Sequence, residues 1–312
     1  MTTTRIGLLG YGEVGQRFAA DLRAAHAKLE IATFDLLLHQ ASAGEAMRRH
    51  AQAHRIGLMA DASAMSSYSL IFSAVTTDQT LEAERSLATR RLEHAWVVDL
   101  NSAAPQTKVE CAALIAAAGG RYVEAAVMTS VPPHGIRVPM LLGGAHAAPA
   151  GKLLRELGFE VEAVSSDLDV ASAIKLWRSV IIKGLESLVV ESFTAARSLG
   201  VERQVLASLK ETYPQFDWEK QGDYLFSRVI QHGKRRSEEM RASAQMVDAT
   251  GVGGIMALGT AHRQASVAEA RAAGAFDDPT KPKPWRERAD EILKTKTVPG
   301  RHSGITPGGG KS

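Results

Sequence analysis

Through the first 165 residues, short apolar runs alternate with stretches whose apolar positions recur at the helical period. The runs Ile6–Leu9, Ile31–Phe34, Leu70–Val75, Trp96–Leu100, Tyr122–Val127, Val138–Leu142 and Phe159–Val164 predict strands. Val14–Ala25, Asp78–Leu92, Pro105–Ala118 and Ala147–Leu157 predict helices. Asp78 is placed to cap its helix, Pro105 to open the next, and Gly119-Gly120 to end it. Alternation at this spacing implies an α/β fold, with a mainly parallel sheet covered on both faces.

After residue 165 the pattern changes. Val170–Leu199 reads as one long helix, with Ile174, Trp177, Ile181, Leu185, Leu188 and Val189 near a 3.6-residue period. Further helices are predicted at 202–212, 218–232, 234–250 and 253–273, with no strand pattern among them. Residues 275–312 carry Pro, Gly, Lys and Thr with little periodicity. They are expected to form a flexible tail with one helix at Pro284–Lys294. The expected organisation is an α/β domain at 1–165, an all-α domain at 166–274 and a tail at 275–312.

Composition narrows the classes. Of 312 residues, 45% are hydrophobic and 23% charged, which is ordinary for a globular protein. The lone Cys111 excludes an intramolecular disulfide framework and any multi-cysteine metal site, and reads as a buried small hydrophobe. The net charge of +3 is unevenly spread: residues 1–160 balance, 161–270 carry −1 and 271–312 carry +4. Excess charge confined to the tail argues against a nucleic-acid binder, which needs its cations on a folded face. No stretch approaches the ~18 consecutive apolar residues of a membrane helix. Met1–Arg5 leads straight into a strand pattern without a signal peptide, so a cytoplasmic address is expected.

Gly10-Tyr11-Gly12-Glu13-Val14-Gly15 follows the first strand and opens a helix, and Asp35 ends the next strand 20 residues beyond Gly15. This is the context of a dinucleotide-binding fingerprint on a Rossmann-type sheet. Gly10 permits the tight turn, Gly12 lets the backbone approach a pyrophosphate, and Gly15 lets helix and strand pack closely. Exposed N–H groups and the helix dipole favour the anion. Asp35 is suited to the ribose hydroxyls and repels a 2′-phosphate, which favours NAD without excluding NADP. Gly310-Lys311-Ser312 mimics a phosphate loop, but residue 305 is Ile and no helix can follow.

Three later motifs carry further chemistry. Asp99-Leu100-Asn101-Ser102-Ala103-Ala104-Pro105 follows a strand, Tyr122–Ser130 leads into a loop, and Ala171–Ser179 lies on the long helix with Lys175. With the glycine motif, in this order, they make the chain resemble the β-hydroxyacid dehydrogenases, over about residues 4–270. This family includes 3-hydroxyisobutyrate and 6-phosphogluconate dehydrogenases. The resemblance is closest to a bacterial branch of phosphogluconate dehydrogenase-like proteins with a distinct helical C-terminal domain. It implies a Rossmann-type domain followed by an all-α domain, nicotinamide and substrate in the cleft between them, and a homodimer formed through the helical domain. Lys175 stands for the family's catalytic lysine, with Asn101 and Ser179 beside it. Gly10, Tyr11, Gly12, Glu13, Val14, Gly15, Asp35, Val75, Thr76 and Asn101 stand for the nucleotide site. Ser102, Met128, Thr129, Ser130, Arg178 and Lys183 stand for the substrate site.

The residues suit the chemistry. Oxidising a secondary alcohol needs a base for the hydroxyl proton, and a lysine serves when burial and nearby cations lower its pKa from about 10.4. Arg178 and Ser179, three and four residues on, share a helix face with Lys175, and Lys183 lies two turns along. Arg is also suited to a bidentate contact with a substrate carboxylate. The implied partner is a small hydroxy or oxo acid, with no metal, nucleic acid or membrane. Five positions depart from the family. Met128-Thr129-Ser130 replaces Ser-Gly-Gly, Ser179 replaces an Asn, and Ile182 stands where 6-phosphogluconate dehydrogenase has an acid. The missing acid argues against oxidative decarboxylation of 6-phosphogluconate. His134 reads as a solvated loop residue, and Lys234-Arg235-Arg236 with Glu238-Glu239 as a solvated or subunit-contact face. Imine reduction on the same architecture and a non-catalytic nucleotide binder are the alternative readings.

Overall fold

In the computed structural model, which describes residues 5–295, the apolar runs of the first half pair into one eight-stranded sheet. By contacts the chain divides into two compact units, Met1–Leu176 and Trp177–Ser312. The strands are β1 (Arg5–Leu9), β2 (Glu30–Phe34), β3 (Gly57–Leu58), β4 (Leu70–Ser73), β5 (Trp96–Asp99), β6 (Arg121–Val127), β7 (Met140–Gly143) and β8 (Val161–Ala163). Their spatial order is β3-β2-β1-β4-β5-β6-β7-β8, and every pairing is parallel except β6 with β7. The helices of this unit are α1 (Glu13–Ala25), α2 (Ala41–Ala53), α3 (Thr80–Leu87), α4 (Pro105–Ala117), α5 (Val131–His134) and α6 (Ala147–Glu156).

Successive strand residues serve opposite cores. Leu8, Phe72 and Val98 join Phe18, Leu22 and Phe159, while Leu9, Ile71 and Val97 join Met65, Cys111 and Ile115. Burial on both faces explains why these strands read as continuous apolar runs. The expected Rossmann-type arrangement is present, with differences of detail. Where the sequence pattern predicts no element, between β2 and β4, lie α2 and the edge strand β3. Asp78 is not a helix cap: it sits in a tight turn at Thr77–Gln79, and α3 starts at Thr80. That helix ends at Leu87 rather than Leu92, because Leu92 turns inward to bury with Ala95 and Ile115.

The long helix α7 (Val170–Leu199) begins in the first unit and continues into the second. The second unit adds α8 (Glu202–Thr212), α9 (Trp218–Ala249), α10 (Ile255–Ala272) and α11 (Trp285–Thr295). The two helices predicted at 218–232 and 234–250 are one. Gly233 lies within α9, where α10 passes so close that an added Cβ would sit 2.7 Å from the Gln264 carbonyl oxygen. The glycine therefore serves helix packing and is not a break. The flexible tail expected from residue 275 is corrected as far as Thr295. Phe276, Trp285, Ala289 and Ile292 are buried with Phe193 and Phe226, and a Cβ on Gly222 of α9 would meet the Trp285 ring at 2.6 Å. The remainder of the expected tail, 296–312 with Gly310-Lys311-Ser312, lies outside the described residues, as do residues 1–4. Among the described residues no helix is long and apolar enough to cross a membrane.

Candidate functional site

The glycine loop joins β1 to α1 at the carboxyl ends of the parallel strands. Gly10 has φ +97°, a left-handed conformation that disfavours other residues, and a Cβ there would lie 2.3 Å from the Ala74 carbonyl oxygen. A Cβ on Gly15 would lie 2.3 Å from the Gly10 carbonyl oxygen, so helix and turn touch through backbone alone. At Gly12 an added Cβ meets nothing within 4 Å, and no side chain caps α1 there. The first turn of α1 thus has unsatisfied N–H groups beside open space, which fits a pyrophosphate. Glu13 and Val14 form that turn.

Two residues of the expected nucleotide site are tied up internally. Tyr11 is fully buried. Its N–H donates to Asp35 Oδ2 (2.7 Å), its hydroxyl pairs with His50 Nδ1 (2.9 Å), and burial pushes the phenol up. Its side chain shapes the loop rather than facing a ligand. Asp35 also accepts from the Leu37 N–H at Oδ1 (2.8 Å). Each carboxylate oxygen keeps a second lone pair for a ribose hydroxyl.

β4 and β1 are neighbours, and the chain turns to β2 on the far side of β1. A switch of this kind is where open α/β sheets bind ligands. Asn101 stitches the strand ends together here. It is buried, accepts from the Val75 N–H at Oδ1 (2.7 Å) and donates from Nδ2 to Ser73 Oγ (3.0 Å). Its amide therefore positions the loop rather than lying open to substrate. Thr76 is exposed on the same loop, and the Thr77 hydroxyl donates to the Ser102 carbonyl oxygen (3.3 Å). Lys175, half-buried in the second turn of α7, donates from Nζ to Ser102 Oγ (3.0 Å). The lysine and the Asn101-Ser102 loop are thus brought together within the first unit.

Behind this loop lies a buried network that the sequence reading missed. Asp99 accepts from Lys108 Nζ (2.9 Å), from the Tyr122 hydroxyl (2.5 Å) and from the Asn101 N–H (2.8 Å). Asp99 and Lys108 are fully inaccessible. Glu84 of α3 is also buried, with neither oxygen in a hydrogen bond, and burial and then Asp99 push it up to about 8. Cys111 is buried as expected, and burial pushes its thiol up to about 12, so it is no nucleophile.

The other expected residues are more dispersed. Met128 is half-buried at the end of β6, its N–H bonded to the Pro139 carbonyl oxygen (3.0 Å), while Thr129, Ser130 and His134 are exposed. Arg178, exposed, Ser179, half-buried, and Lys183 belong to the second unit. Lys183 is bound to Glu239 Oε2 (2.6 Å). Burial raises Glu239, but Lys183, then Arg235 and Arg236, outweigh it and hold the carboxyl below its usual range. Lys183 of the expected substrate site is thus engaged by Glu239 in this structure. Arg236, read with its neighbours as part of a solvated or subunit-contact face, is corrected. It is buried against Glu186, while Lys234 and Arg235 face water.

Comparison with known proteins bears on this geometry. The profile of a domain of unknown function (DUF1932) matches residues 196–267. The chain is 32% identical to a conserved hypothetical protein from Sinorhizobium meliloti 1021, covering 94% of this chain and 97% of that one, with a TM-score of 0.80. It is 28% identical to the conserved protein MTH1747, itself of unknown function and structurally similar to 3-hydroxyacid dehydrogenases, over 86% of this chain and 99% of that one, TM-score 0.72. The chain belongs to the β-hydroxyacid dehydrogenase family. The fold extends to a Mycobacterium tuberculosis 3-hydroxyisobutyrate dehydrogenase solved with L-serine, at 15% identity over 95% of this chain and 100% of that one, TM-score 0.68. The same fold is shared by an imine reductase from Aspergillus terreus solved with NADPH4, at 17% identity over 88% of this chain and 95% of that one, TM-score 0.56.

Proposed function

We propose that this protein transfers a hydride between a small β-hydroxy acid and a nicotinamide nucleotide, with Lys175 as general acid/base. The observation that carries the reading is the Lys175 amine held 3.0 Å from Ser102 Oγ, on the loop that Asn101 joins to the end of β4. A nicotinamide nucleotide, when bound, takes up or returns the hydride. The glycine loop and the first turn of α1 receive its pyrophosphate, and Asp35 its ribose. In the oxidative direction, neutral Lys175 Nζ accepts the hydroxyl proton as hydride leaves the carbon that bears the hydroxyl, which becomes the oxo carbon. In reverse, the ammonium returns that proton to the oxo group. Arg178 is the proposed partner of the substrate carboxylate, and Ser179, Thr129 and Ser130 are further polar contacts.

Asp35 favours NAD over NADP. A homodimer through the helical unit and a cytoplasmic address complete the proposal. The test follows nicotinamide absorbance with NAD and NADP, each against a panel of 3-hydroxy acids that includes 6-phosphogluconate. Turnover on an unphosphorylated 3-hydroxy acid, lost in Lys175→Ala, is the expected result. Turnover on 6-phosphogluconate would overturn the argument from Ile182. Nucleotide binding without turnover across the panel would return weight to imine reduction or to a non-catalytic binder.

A further inference from the structure

Glu124 is a fully buried acid in the middle of β6, and the proposed proton transfer does not use it. Both its oxygens point at the start of α7. Oε2 accepts the Asp169 N–H (2.8 Å) and Oε1 accepts the Ser172 N–H (3.1 Å). Asp169 immediately precedes the helix and Ser172 is its third residue. These are the two donors that a capping box satisfies with side chains of the helix itself. Here one carboxylate, 45 and 48 residues earlier in the chain, satisfies both.

The surrounding residues make room for this. Asp169, the natural local cap, has φ +72°, and its Oδ1 is buried without a hydrogen-bond partner. Burial and then the Glu124 charge push the Asp169 carboxyl up. Gly143, opposite Glu124 on β7, is needed as a glycine: a Cβ there would lie 2.8 Å from Glu124 Oε2. A local Ser, Thr or Asp would finish the helix equally well. It would not tell the helix where to begin relative to the sheet, and it would avoid burying a charge. A cap reaching from a strand does fix that position. Lys175 follows Ser172 by three residues, less than one turn.

We infer that Glu124 is the positioning residue for Lys175: by holding the first turn of α7 on the sheet, it sets the amine against Ser102. The inference rests on the reading of Lys175 as the proton-transfer group, but its test does not need turnover. Glu124→Gln, Glu124→Met, Ser102→Ala and the Glu124→Gln/Ser102→Ala double variant are compared with the native chain. Two readouts are taken: amide hydrogen exchange over 168–176, and the rate of Lys175 acetylation by acetic anhydride, with exposed Lys28 as internal reference.

Both Glu124 variants are expected to speed exchange in 168–176 about tenfold, the size of a lost cap, with β1 and β5 unchanged. Both are expected to speed Lys175 acetylation severalfold against Lys28. Ser102→Ala should speed acetylation without changing exchange, and Glu124→Gln added to it should give no further increase, because the two act on one bond. Faster exchange with unaltered acetylation would make Glu124 a cap and nothing more. Multiplying effects in the double variant would equally overturn the inference. Should Glu124→Met not fold, Glu124→Gln, which keeps one accepting oxygen, decides the matter alone. Turnover retained in Lys175→Ala would overturn the catalytic reading and leave these measurements standing.

Discussion

Glu84 faces Ser73 on β4, Asp99 on β5, and Lys108 and Cys111 on α4. Raised to about 8, it is protonated at neutral pH. An acid that holds its proton more tightly when folded makes folding less favourable as pH rises from the ordinary carboxylate range to about 8, and no less favourable beyond. Glu84→Gln keeps the shape and stays neutral. Its stability in urea is expected to exceed the native chain's by a growing margin from about pH 5 to pH 8, reaching a few kcal/mol. A constant margin would refute the assignment. Lys175→Ala is expected to lower turnover by about 10²–10⁴-fold while leaving the nucleotide dissociation constant within about twofold, measured by nicotinamide fluorescence. Asp35→Ser should move preference toward NADP, read as the ratio of kcat/KM values. The turn at Gly10 and the close packing at Gly15 were legible in the sequence because a positive φ and backbone-to-backbone contact leave room for little but glycine. The Asp99–Lys108–Tyr122 network was not: its members lie on three elements, and nothing in the pattern marks Lys108 as a buried lysine.

Element by element, the sheet and the long helix were readable, since two-sided burial and a 3.6-residue period leave plain patterns. The misreadings arose where a residue type has two uses. Gly233 reads as a break but accommodates α10, and the polar stretch around Trp285 reads as tail but seats a tryptophan on Gly222. The Trp285 indole N–H also donates to Glu219 Oε2 (3.0 Å), and the Trp285 backbone N–H to Asp223 Oδ1 (2.6 Å). Trp285→Ala is therefore expected to destabilise the helical unit by about 3–5 kcal/mol, seen as a lower urea midpoint. A change under about 1 kcal/mol would mean that α11 is not part of that core. Arg236 and Arg235 separate two uses of one residue type in the same way. Arg236→Ala leaves the buried Glu186 without its counter-charge, with Gln264 Nε2 (3.3 Å) still against it, and should cost about 3–5 kcal/mol, whereas Arg235→Ala at the surface should cost under about 1 kcal/mol.

At the scale of the whole molecule, the helical unit leaves large apolar side chains in water: Ile181, Leu188, Leu199, Val252, Ile255 and Met256 are all more than half exposed. A second copy of the chain is the proposed cover for part of this surface. Light scattering is expected to give twice the chain's mass, and Ile181→Glu with Leu188→Glu to give the single mass. A native monomer would remove the proposal. The Glu124 contact has a bearing on synthesis as well. The chain leaves the ribosome with β6 well ahead of α7, and N-terminal parts of a protein tend to fold first. The acceptor for the helix's opening turn is therefore synthesised before the turn it holds. The order of synthesis thus matches the order of support, with a strand of the earlier half supplying the template on which the long helix starts.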